Sequence, residues 1–529
     1  QEAQPFLIIP AEALSMMPGE PTITASGSGT VFLASGKDID VTAWVAKTSH
    51  SIAEISTDAK SLAVVEKIGT GDFISPVGSD LWVSEVSAEG QAELIVPADQ
   101  GISVLVASDG LTPAPERVRV SWPTENSTTT SDIFLAVGLS LLVVAILFNI
   151  LALGKMIRNR GPRRKMPKAP QGPRYKPRNK GYDLPRKGRR SAANKIAIAP
   201  ISIGLVLVLG GCQSPVTPIS SPTPSDSATT SVVDQIAPAL NEQQVSRILS
   251  NIQSVVAESD ASGDSTFLQT RVAGPALLFR EANYLLRTKS PDVLPLPPIN
   301  TSVVSVTIIS KTEGWPRSLM VVTGTGDELP QTLVIQQLSP RDPYKLLYYM
   351  DLLPGAQFPD VAAASEGSIP VESDSLFLKL SPLDIAEAYG NLIDNGPASE
   401  FFGLFDTTTD AFFEQIAATQ KNQTESLEEA TTQFTHRLGD DNVISLTTSD
   451  SGAIVALIMV DTWEIKPTNR NSAVTVTGDE QLLLGVEGSS RGISTEYGNM
   501  LLFYVPLASS DDKIKLLGAT QTLLSITIL

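Results

Sequence analysis

Hydrophobic and polar residues alternate in short runs over the first part of the 529-residue chain. Runs such as Thr30-Val-Phe-Leu-Ala and Ile102-Ser-Val-Leu-Val are separated by Gly, Pro, Ser and Asp at a spacing of roughly 8–12 residues. This rhythm is typical of β-strands, and no helical periodicity interrupts it. We therefore predict an all-β sandwich over residues 1–122, with a strand at Ile39-Asp-Val-Thr-Ala-Trp-Val, followed by a Ser/Thr-rich linker over residues 123–132.

A long apolar segment follows the linker. Residues 133–154 are apolar apart from Ser140 and Asn149. Because an α-helix rises about 1.5 Å per residue, a segment of this length crosses the hydrocarbon core of a bilayer, which is about 30 Å thick. The sequence therefore predicts a transmembrane helix over residues 133–154.

A second, shorter apolar segment covers residues 196–211 and runs into Leu209-Gly-Gly-Cys212. This ending resembles a bacterial lipobox, in which the cysteine thiol receives diacylglycerol and becomes the new N-terminus after cleavage. Cys212 is therefore a candidate lipidation site, and the Ser/Thr/Pro-rich residues 213–233 resemble the linker of a lipoprotein. The alternative is an intact second transmembrane helix that ends in Gly-Gly-Cys. In either case the chain recrosses the membrane before residue 213.

Charge fixes the expected orientation. Residues 155–195 hold 16 Lys and Arg and one acid, Asp183, so this loop carries +15 in a chain of net charge −18, and the remainder carries −33. Short basic loops stay in the cytoplasm, which places residues 1–132 and 213–529 outside a bacterial cell membrane. We expect the Pro-rich basic loop to be disordered and to bind anionic lipid headgroups. The acidic external regions argue against nucleic acid as a partner.

Cysteine and histidine are scarce. The single Cys excludes an intramolecular disulfide, a cysteine zinc site and thiol redox chemistry, and it suggests a bacterium without an oxidising periplasm. Only two histidines are available for metal binding or acid–base work. We therefore predict no cofactor. Because residues 1–132 must be exported, we expect a signal sequence or an anchoring helix before Gln1.

Helical periodicity appears after residue 234. Apolar residues from Val245 to Val256 recur at i, i+3 and i+4, which predicts an amphipathic helix, and a second helix is expected over residues 276–287. Further elements are predicted by the same criteria. They are strands at 303–310, 318–323 and 332–337 and a helix at 344–353.

The same order of elements recurs later in the chain. Ser381-Pro-Leu-Asp384 is typical of a helix N-terminus, helical sequence continues over residues 410–438, and strands follow, one of them at 481–486. The recurrence predicts tandem α+β domains over residues 234–375 and 376–529, each a helical pair on a curved antiparallel sheet. This pattern resembles the cystatin-like cone of nuclear-transport-factor and SnoaL-type domains. The expected fold class is thus a multidomain membrane protein with a β-sandwich, two transmembrane segments and two α+β domains.

Candidate chemistry is sparse. His436 lies near Asp440 and Asp441, which suggests an acid–base pair or a weak metal site, although the last turn of a solvated helix explains these residues more simply. Arg317 and the Arg341-Asp-Pro-Tyr segment are candidates for surface recognition, or simply a turn and a helix start. The common nucleotide-binding, hydrolase and metalloprotease motifs are missing from the sequence. We therefore predict no catalytic, cofactor-binding or metal-binding residue.

Several short sequence motifs resemble those of an uncharacterised family of actinobacterial membrane-anchored envelope proteins. The motifs are Gly29-Thr-Val-Phe-Leu-Ala-Ser-Gly36, Asp40-Val-Thr-Ala-Trp44, Gly78-Ser-Asp-Leu-Trp82, Val272-Ala-Gly-Pro-Ala276, Trp315-Pro-Arg317, and Asp342-Pro-Tyr-Lys345 before Leu353-Pro-Gly355. The resemblance implies an envelope protein with a further membrane helix at its N-terminus. Family members are often labelled glycosyltransferases, a label that the residues of this chain do not support.

These observations favour a non-enzymatic protein of the cell envelope. It would act outside the membrane as a scaffold or binding module, with protein partners in the envelope, as an accessory subunit of a membrane complex. The alternative is an extracytoplasmic enzyme or a lipid- or glycan-binding protein that acts on cell-wall precursors. That alternative requires convergent polar groups in a pocket inside one of the α+β domains.

Overall fold

The computed structural model describes residues 4–529 with gaps. The residues not described are 1–3, 56–61, 98–100, 124–128, 159–235, 325–329, 428, 441 and 470. Contacts divide the chain into one unit made of Gln1–Thr124 with Val233–Leu529 and another made of Glu125–Val232. The second apolar segment, Cys212, the linker at 213–233 and nearly all of the basic loop therefore lie outside the described residues.

The second unit contains one long helix, α3, at Thr129–Arg158. Its stretch Gly138–Lys155 is long and apolar enough to cross a membrane, and none of that stretch is buried in the protein. No other helix among the described residues has this character. The helix covers the first predicted transmembrane segment, whereas residues 196–211 are not described.

The N-terminal region is a β-sheet with two short helices, as far as it is described. The elements are β1 Phe6–Ile9, α1 Ala11–Leu14, β2 Thr22–Lys37, α2 Asp38–Val45, β3 His50–Ile55, β4 Leu62–Lys67, β5 Ser84–Ile95, β6 Ile102–Ala107 and β7 Arg117–Ser121. The strand order is β4-β3-β1-β6-β2-β5, and β7 also pairs with β2. All described pairs are antiparallel except β1 with β3.

This sheet carries an apolar core on each face. Val31 and Leu33 of β2 belong to one cluster, and Phe32 and Ala34 belong to the other. The prediction of a β-rich domain is confirmed. The described strands form one hydrogen-bonded sheet, where the sequence suggested the two sheets of a sandwich.

The strand predicted over Ile39–Val45 is wrong, because these residues form α2. Val41, Trp44 and Val45 have helical spacing and are all buried. Asp38 and Asp40 lie in the first turn, where the helix dipole favours negative charge. The alternation of Ile39 with Val41 was the misleading signal.

Six described α-helices belong to the C-terminal region. They are α4 Glu242–Ser262, α5 Ser265–Leu268, α6 Gly274–Lys289, α7 Ile385–Asn395, α8 Ala411–Ser426 and α9 Gly478–Leu484, with short 3-10 turns at Pro382–Asp384 and Gly396–Ala398. The amphipathic helices predicted around Val245 and over residues 276–287 are therefore present as α4 and α6. The Ser381 hydroxyl donates to the carbonyl of Ser373 and does not cap the helix that follows.

The strands of this region form one nine-stranded antiparallel sheet and a small two-stranded pair. They are β8 Val304–Ile309, β9 Arg317–Thr323, β10 Gln331–Gln337, β11 Lys345–Leu352, β12 Ala430–Leu438, β13 Ile444–Thr447, β14 Ala453–Pro467, β15 Val474–Thr475, β16 Gly488–Ser489, β17 Ile493–Val505 and β18 Lys515–Ile528. The large sheet has the order β12-β14-β17-β18-β11-β10-β9-β8, with β13 on β14.

Three predictions within this region are wrong. The helix expected over residues 344–353 is strand β11, the strand expected over 481–486 lies mostly in α9, and the helical sequence over 410–438 ends at Ser426 and gives way to β12. The apolar run of β11 has no clear period, α9 is only seven residues long, and β12 follows α8 after three residues.

The expected order of a helical pair followed by strands does occur twice, but the two halves share one sheet. Strand β11 pairs with β18 through Asp351 opposite Ala519 and Leu352 opposite Gly518. Residues of β14 and β17 alternate between two apolar clusters, one with α4 and α6 and the other with α7 and α8. The C-terminal part is therefore a continuous α+β region, and the boundary predicted between residues 375 and 376 separates two halves that share a core.

Candidate functional site

The histidine of β12 is bonded to two carboxylates. Nδ1 of His436 lies 2.6 Å from Oδ1 of Asp461 on β14, and Nε2 lies 3.1 Å from Oδ1 of Asp394 on α7. Only 3% of the His436 side chain and none of the Asp461 side chain is exposed. Because His436 and Asp461 are directly opposite in the ladder between β12 and β14, the sheet itself sets their contact.

This arrangement keeps His436 charged. Burial disfavours the imidazolium and lowers the pKa, but the hydrogen bonds that the ring donates to Asp394 and Asp461 more than compensate and raise the pKa of His436 to about 9. At neutral pH both ring nitrogens therefore donate to a carboxylate. Gly390 allows the close approach of α7, because a Cβ at that position would lie 2.3 Å from the Cβ of His436. The cluster attaches α7 to the sheet.

The partners that the sequence suggested for His436 are different. Asp440 accepts a hydrogen bond from the backbone N–H of Asn442, and Asp441 is not described. His436 lies in a strand, so the solvated helical turn expected there is wrong. Among the residues with a described position, no group of three His, Cys, Asp or Glu side chains could hold a metal ion.

A second cluster of buried charges joins the N-terminal β-sheet to the C-terminal region. Nη1 of Arg317, on β9, lies 2.7 Å from Oδ1 of Asp40 on α2, and the two side chains are 1% and 0% exposed. The contact is therefore a fully buried ion pair. Burial raises the pKa of the Asp40 carboxyl, and the charge of Arg317 opposes that rise. The same guanidinium stacks 3.9 Å from the ring centroid of Trp315.

Asp80 is the second point of contact between these two regions. Its Oδ2 lies 2.5 Å from Nη1 of Arg271 and accepts a hydrogen bond of 2.8 Å from the backbone N–H of Tyr344. The side chain of Gln244 donates to the carbonyl oxygens of Asp80 and Leu81 at 3.2 and 2.9 Å. Polar groups of α4, of the α5–α6 connection and of the segment before β11 therefore converge on one short loop of the N-terminal sheet.

Arg341 forms the third contact. Its Nε donates to the carbonyl of Trp44 at 2.8 Å, its Nη1 to the carbonyl of Asp72 at 2.7 Å and its Nη2 to Oγ1 of Thr48 at 3.0 Å. The guanidinium also lies 4.7 Å from the ring centroid of Trp44. Arg317 and Arg341, which the sequence suggested for surface recognition, both face this interface.

The interface contains most of the short sequence motifs on which the family resemblance rests. Asp40-Val-Thr-Ala-Trp44, Gly78-Ser-Asp-Leu-Trp82, Trp315-Pro-Arg317 and Asp342-Pro-Tyr-Lys345 all contribute residues to it or border it. The sequence alone did not predict that these motifs lie close together in space. The available signal was the occurrence of Asp and Arg beside Trp and Tyr in these motifs, because charged side chains are rarely buried unless they are paired.

Two cavities lie in the first half of the C-terminal region. One has a volume of about 500 Å³ and lies between α4 and the edge strand β8, with Val245, Leu249 and Thr307 among its walls. The other has a volume of about 270 Å³ and is lined by Thr323, Gln331 and Asp351. On the sheet side of the second cavity, these three side chains all carry oxygen acceptors.

Comparison with known proteins shows which family the C-terminal region matches. A family model described as "Domain of unknown function (DUF8094)" matches residues 236–526, which is more than half of the chain. The chain belongs to this family. The DUF8094 match begins just before α4 and ends within β18, so it covers both helical pairs and all of the shared sheet except the last two residues of β18. No curated protein and no solved structure matches the chain.

Proposed function

We propose that this protein is a membrane-anchored, non-enzymatic component of a bacterial cell envelope. Its N-terminal sheet and DUF8094 region act together outside the membrane as a scaffold or binding module, as an accessory subunit of a membrane complex. The observation that carries the proposal is the buried interface of Asp40, Asp80 and Trp44 with the arginines of the C-terminal region. This interface joins the N-terminal sheet and the C-terminal region, the two chain segments that flank a potential membrane helix.

The interface also supports the proposed topology. Two segments that bury ion pairs against each other lie on the same side of a membrane. If Gly138–Lys155 spans the bilayer between them, the chain has to cross a second time before Ile236. Residues 196–211 are the apolar segment available for that crossing, and the basic residues 155–195 between the two crossings favour the cytoplasmic side.

The environment of His436 supports a role without catalysis for this residue. Both of its ring nitrogens are engaged by carboxylates, and its side chain is almost completely buried. A general base needs a free nitrogen within reach of a substrate proton. The geometry therefore favours His436 as a structural contact between α7 and the sheet.

The first test uses the full chain with a specific protease site inserted within residues 213–233. In intact cells stripped of their wall, added protease should reach the site, and the C-terminal fragment should stay with the membrane because the interface holds it. Replacing Arg271 and Arg317 together by Met should release the fragment. The control is Arg437→Met, which removes one charge from an exposed pair with Glu496. A site protected from external protease, or release of the wild-type fragment, would contradict the proposal.

The second test addresses the scaffold itself. Native membranes extracted in mild detergent should contain the chain in an assembly heavier than its own 56.2 kDa and its micelle. The Arg271 and Arg317 double variant should lose that assembly while remaining in the membrane. A wild-type chain that is always extracted alone would argue against an accessory subunit.

A further inference from the structure

Three polar side chains lie in one row across the end of the sheet. Gln331 on β10 is directly opposite Thr323 on β9 and, on its other side, directly opposite Asp351 on β11. Residues opposite each other in antiparallel strands point to the same face. All three side chains line the cavity of about 270 Å³. The other described residues of its lining are Gly324 and, from the segment after α6, Pro297, Pro298 and Asn300.

Two of these side chains carry buried oxygens without a partner. Thr323 is 1% exposed and Gln331 is 8% exposed, and neither Oγ1 of Thr323 nor Oε1 of Gln331 has a hydrogen-bond partner. The orientation of the Gln331 amide is fixed, because its Nε2 donates to Oδ1 of Asp351 at 3.1 Å and a carboxylate can only accept. The carbonyl oxygen of the amide is therefore left as an acceptor. Leaving such groups unpaired carries a free-energy cost, so a ligand that bonds to them is favoured.

The charge of the site is set by Asp351. The neighbouring position on the same face of β11 is Tyr349, whose ring lies 5.0 Å from the guanidinium of Arg280. That guanidinium is paired with the carboxylate of Asp260, so its charge is already balanced. Among its described lining residues, the cavity therefore offers the carboxylate of Asp351 and the unpaired neutral oxygens of Thr323 and Gln331. The amide oxygen of Asn300, which also lines the cavity, already accepts from Ser302.

We propose that this cavity binds the ammonium group of a small primary amine. An ammonium group has three N–H donors and one positive charge, which match the three acceptors and the single carboxylate of Thr323, Gln331 and Asp351. The volume accommodates a short alkyl chain beside the apolar Pro297 and Pro298. This site is independent of the interface described above. A negative result for the site would therefore leave the proposed scaffold function untouched.

The test measures the melting temperature of the full chain in detergent against the concentration of n-butylammonium chloride. Tetramethylammonium chloride at equal ionic strength is the control ligand, because it has the charge and no N–H donor. Butylammonium should raise the melting temperature in a saturable manner and tetramethylammonium should not. Asp351→Asn should weaken the apparent affinity by about tenfold or more. Asp511→Asn, the same change at an exposed turn, should leave the affinity unchanged.

Thr323→Val keeps the shape of the side chain and removes its acceptor, so it tests the site even if Asp351→Asn does not fold. We expect it to weaken butylammonium binding several-fold. Three results would overturn the proposal: equal shifts with both ammonium salts, stabilisation by calcium chloride alone, which would indicate a hard-cation site, or no shift with any ligand, which would indicate a cavity that holds only water.

Discussion

The fully enclosed pair of Asp40 and Arg317 leads to a stability prediction at the scale of single residues. Arg317→Met leaves a buried carboxylate without its counter-charge, which typically costs about 3–5 kcal/mol. We expect the free energy of unfolding of the full chain, measured with urea, to fall by that amount. Arg437→Met removes an exposed partner of Glu496 and should cost less than about 1 kcal/mol. Equal losses in the two variants would show that the buried pair has no special weight.

His436 leads to a prediction about pH. Its pKa is about 9 in the folded protein and about 6.5 in an unfolded chain, so the folded state holds the proton more tightly. The resulting stabilisation is complete below about pH 6.5 and is lost as the pH rises to about 9, and it amounts to at most about 3 kcal/mol. Urea unfolding at a series of pH values should show this decline.

Variants separate His436 from other titrating groups. His436→Gln should remove the decline between about pH 6.5 and 9, and Asp394→Asn should reduce it, because one of the two carboxylates remains. The carboxyl of Asp410 does not interfere, since burial raises its pKa only to about 6, below this window. A flat profile for the wild-type protein would contradict the charged state of His436.

Sequence reasoning identified individual residues better than their partners. His436 was singled out, yet its partners Asp394 and Asp461 lie 42 residues before it and 25 residues after it. Arg341 bonds to the carbonyl of Trp44, 297 residues away. Contacts of this kind depend on how strands and helices are placed in space, and local pattern carries no information about that placement.

At the scale of elements, the contact between α7 and β12 depends on a glycine. Gly390→Ala would normally stabilise a helix by up to about 1 kcal/mol. Here the new Cβ would meet the Cβ of His436 at 2.3 Å, so we expect a net loss of about 1–3 kcal/mol in the free energy of unfolding. Gly403→Ala, in a turn, is the control for the added methyl group alone, because nothing lies within 4 Å of its Cβ. A stabilised Gly390→Ala variant would mean that α7 moves freely against the sheet.

Helices with one buried face were predictable from their periodicity. Of the strands buried on both faces, β9 and β10 were predicted and β11 was not. Helices α4 and α6 have a polar and an apolar side, and their periodicity is clear in the sequence. Strand β11 contains Leu346-Leu-Tyr-Tyr-Met350, all buried, so its apolar run has no period and was read as a helix. Helices α2 and α9 have only eight and seven residues, and an alternation over a few of these residues is enough to suggest a strand.

At the scale of the whole molecule, the sequence indicated the division of the chain into a β-rich region, an apolar helix and an α+β region with a repeated order of elements. It did not indicate that the sheet continues from one half of the α+β region to the other, because this depends on two residue pairs between β11 and β18. It also did not indicate that the β-rich region packs on the α+β region, since the residues responsible are single charges and aromatics spread over the chain.

The contacts of Asp40 and Trp44 with Arg317 and Arg341 also bear on how the protein is made. The two arginines are synthesised roughly 200 residues after the β-rich region ends, which corresponds to about 10–40 s at 5–20 residues per second. In the proposed topology, the Asp40 carboxylate and the Trp44 indole are outside the cell without their arginine partners for that time, while the chain crosses the membrane twice. The N-terminal sheet is therefore a natural client for folding factors on the outer side of the membrane, and the arrival of its own downstream segment ends that dependence.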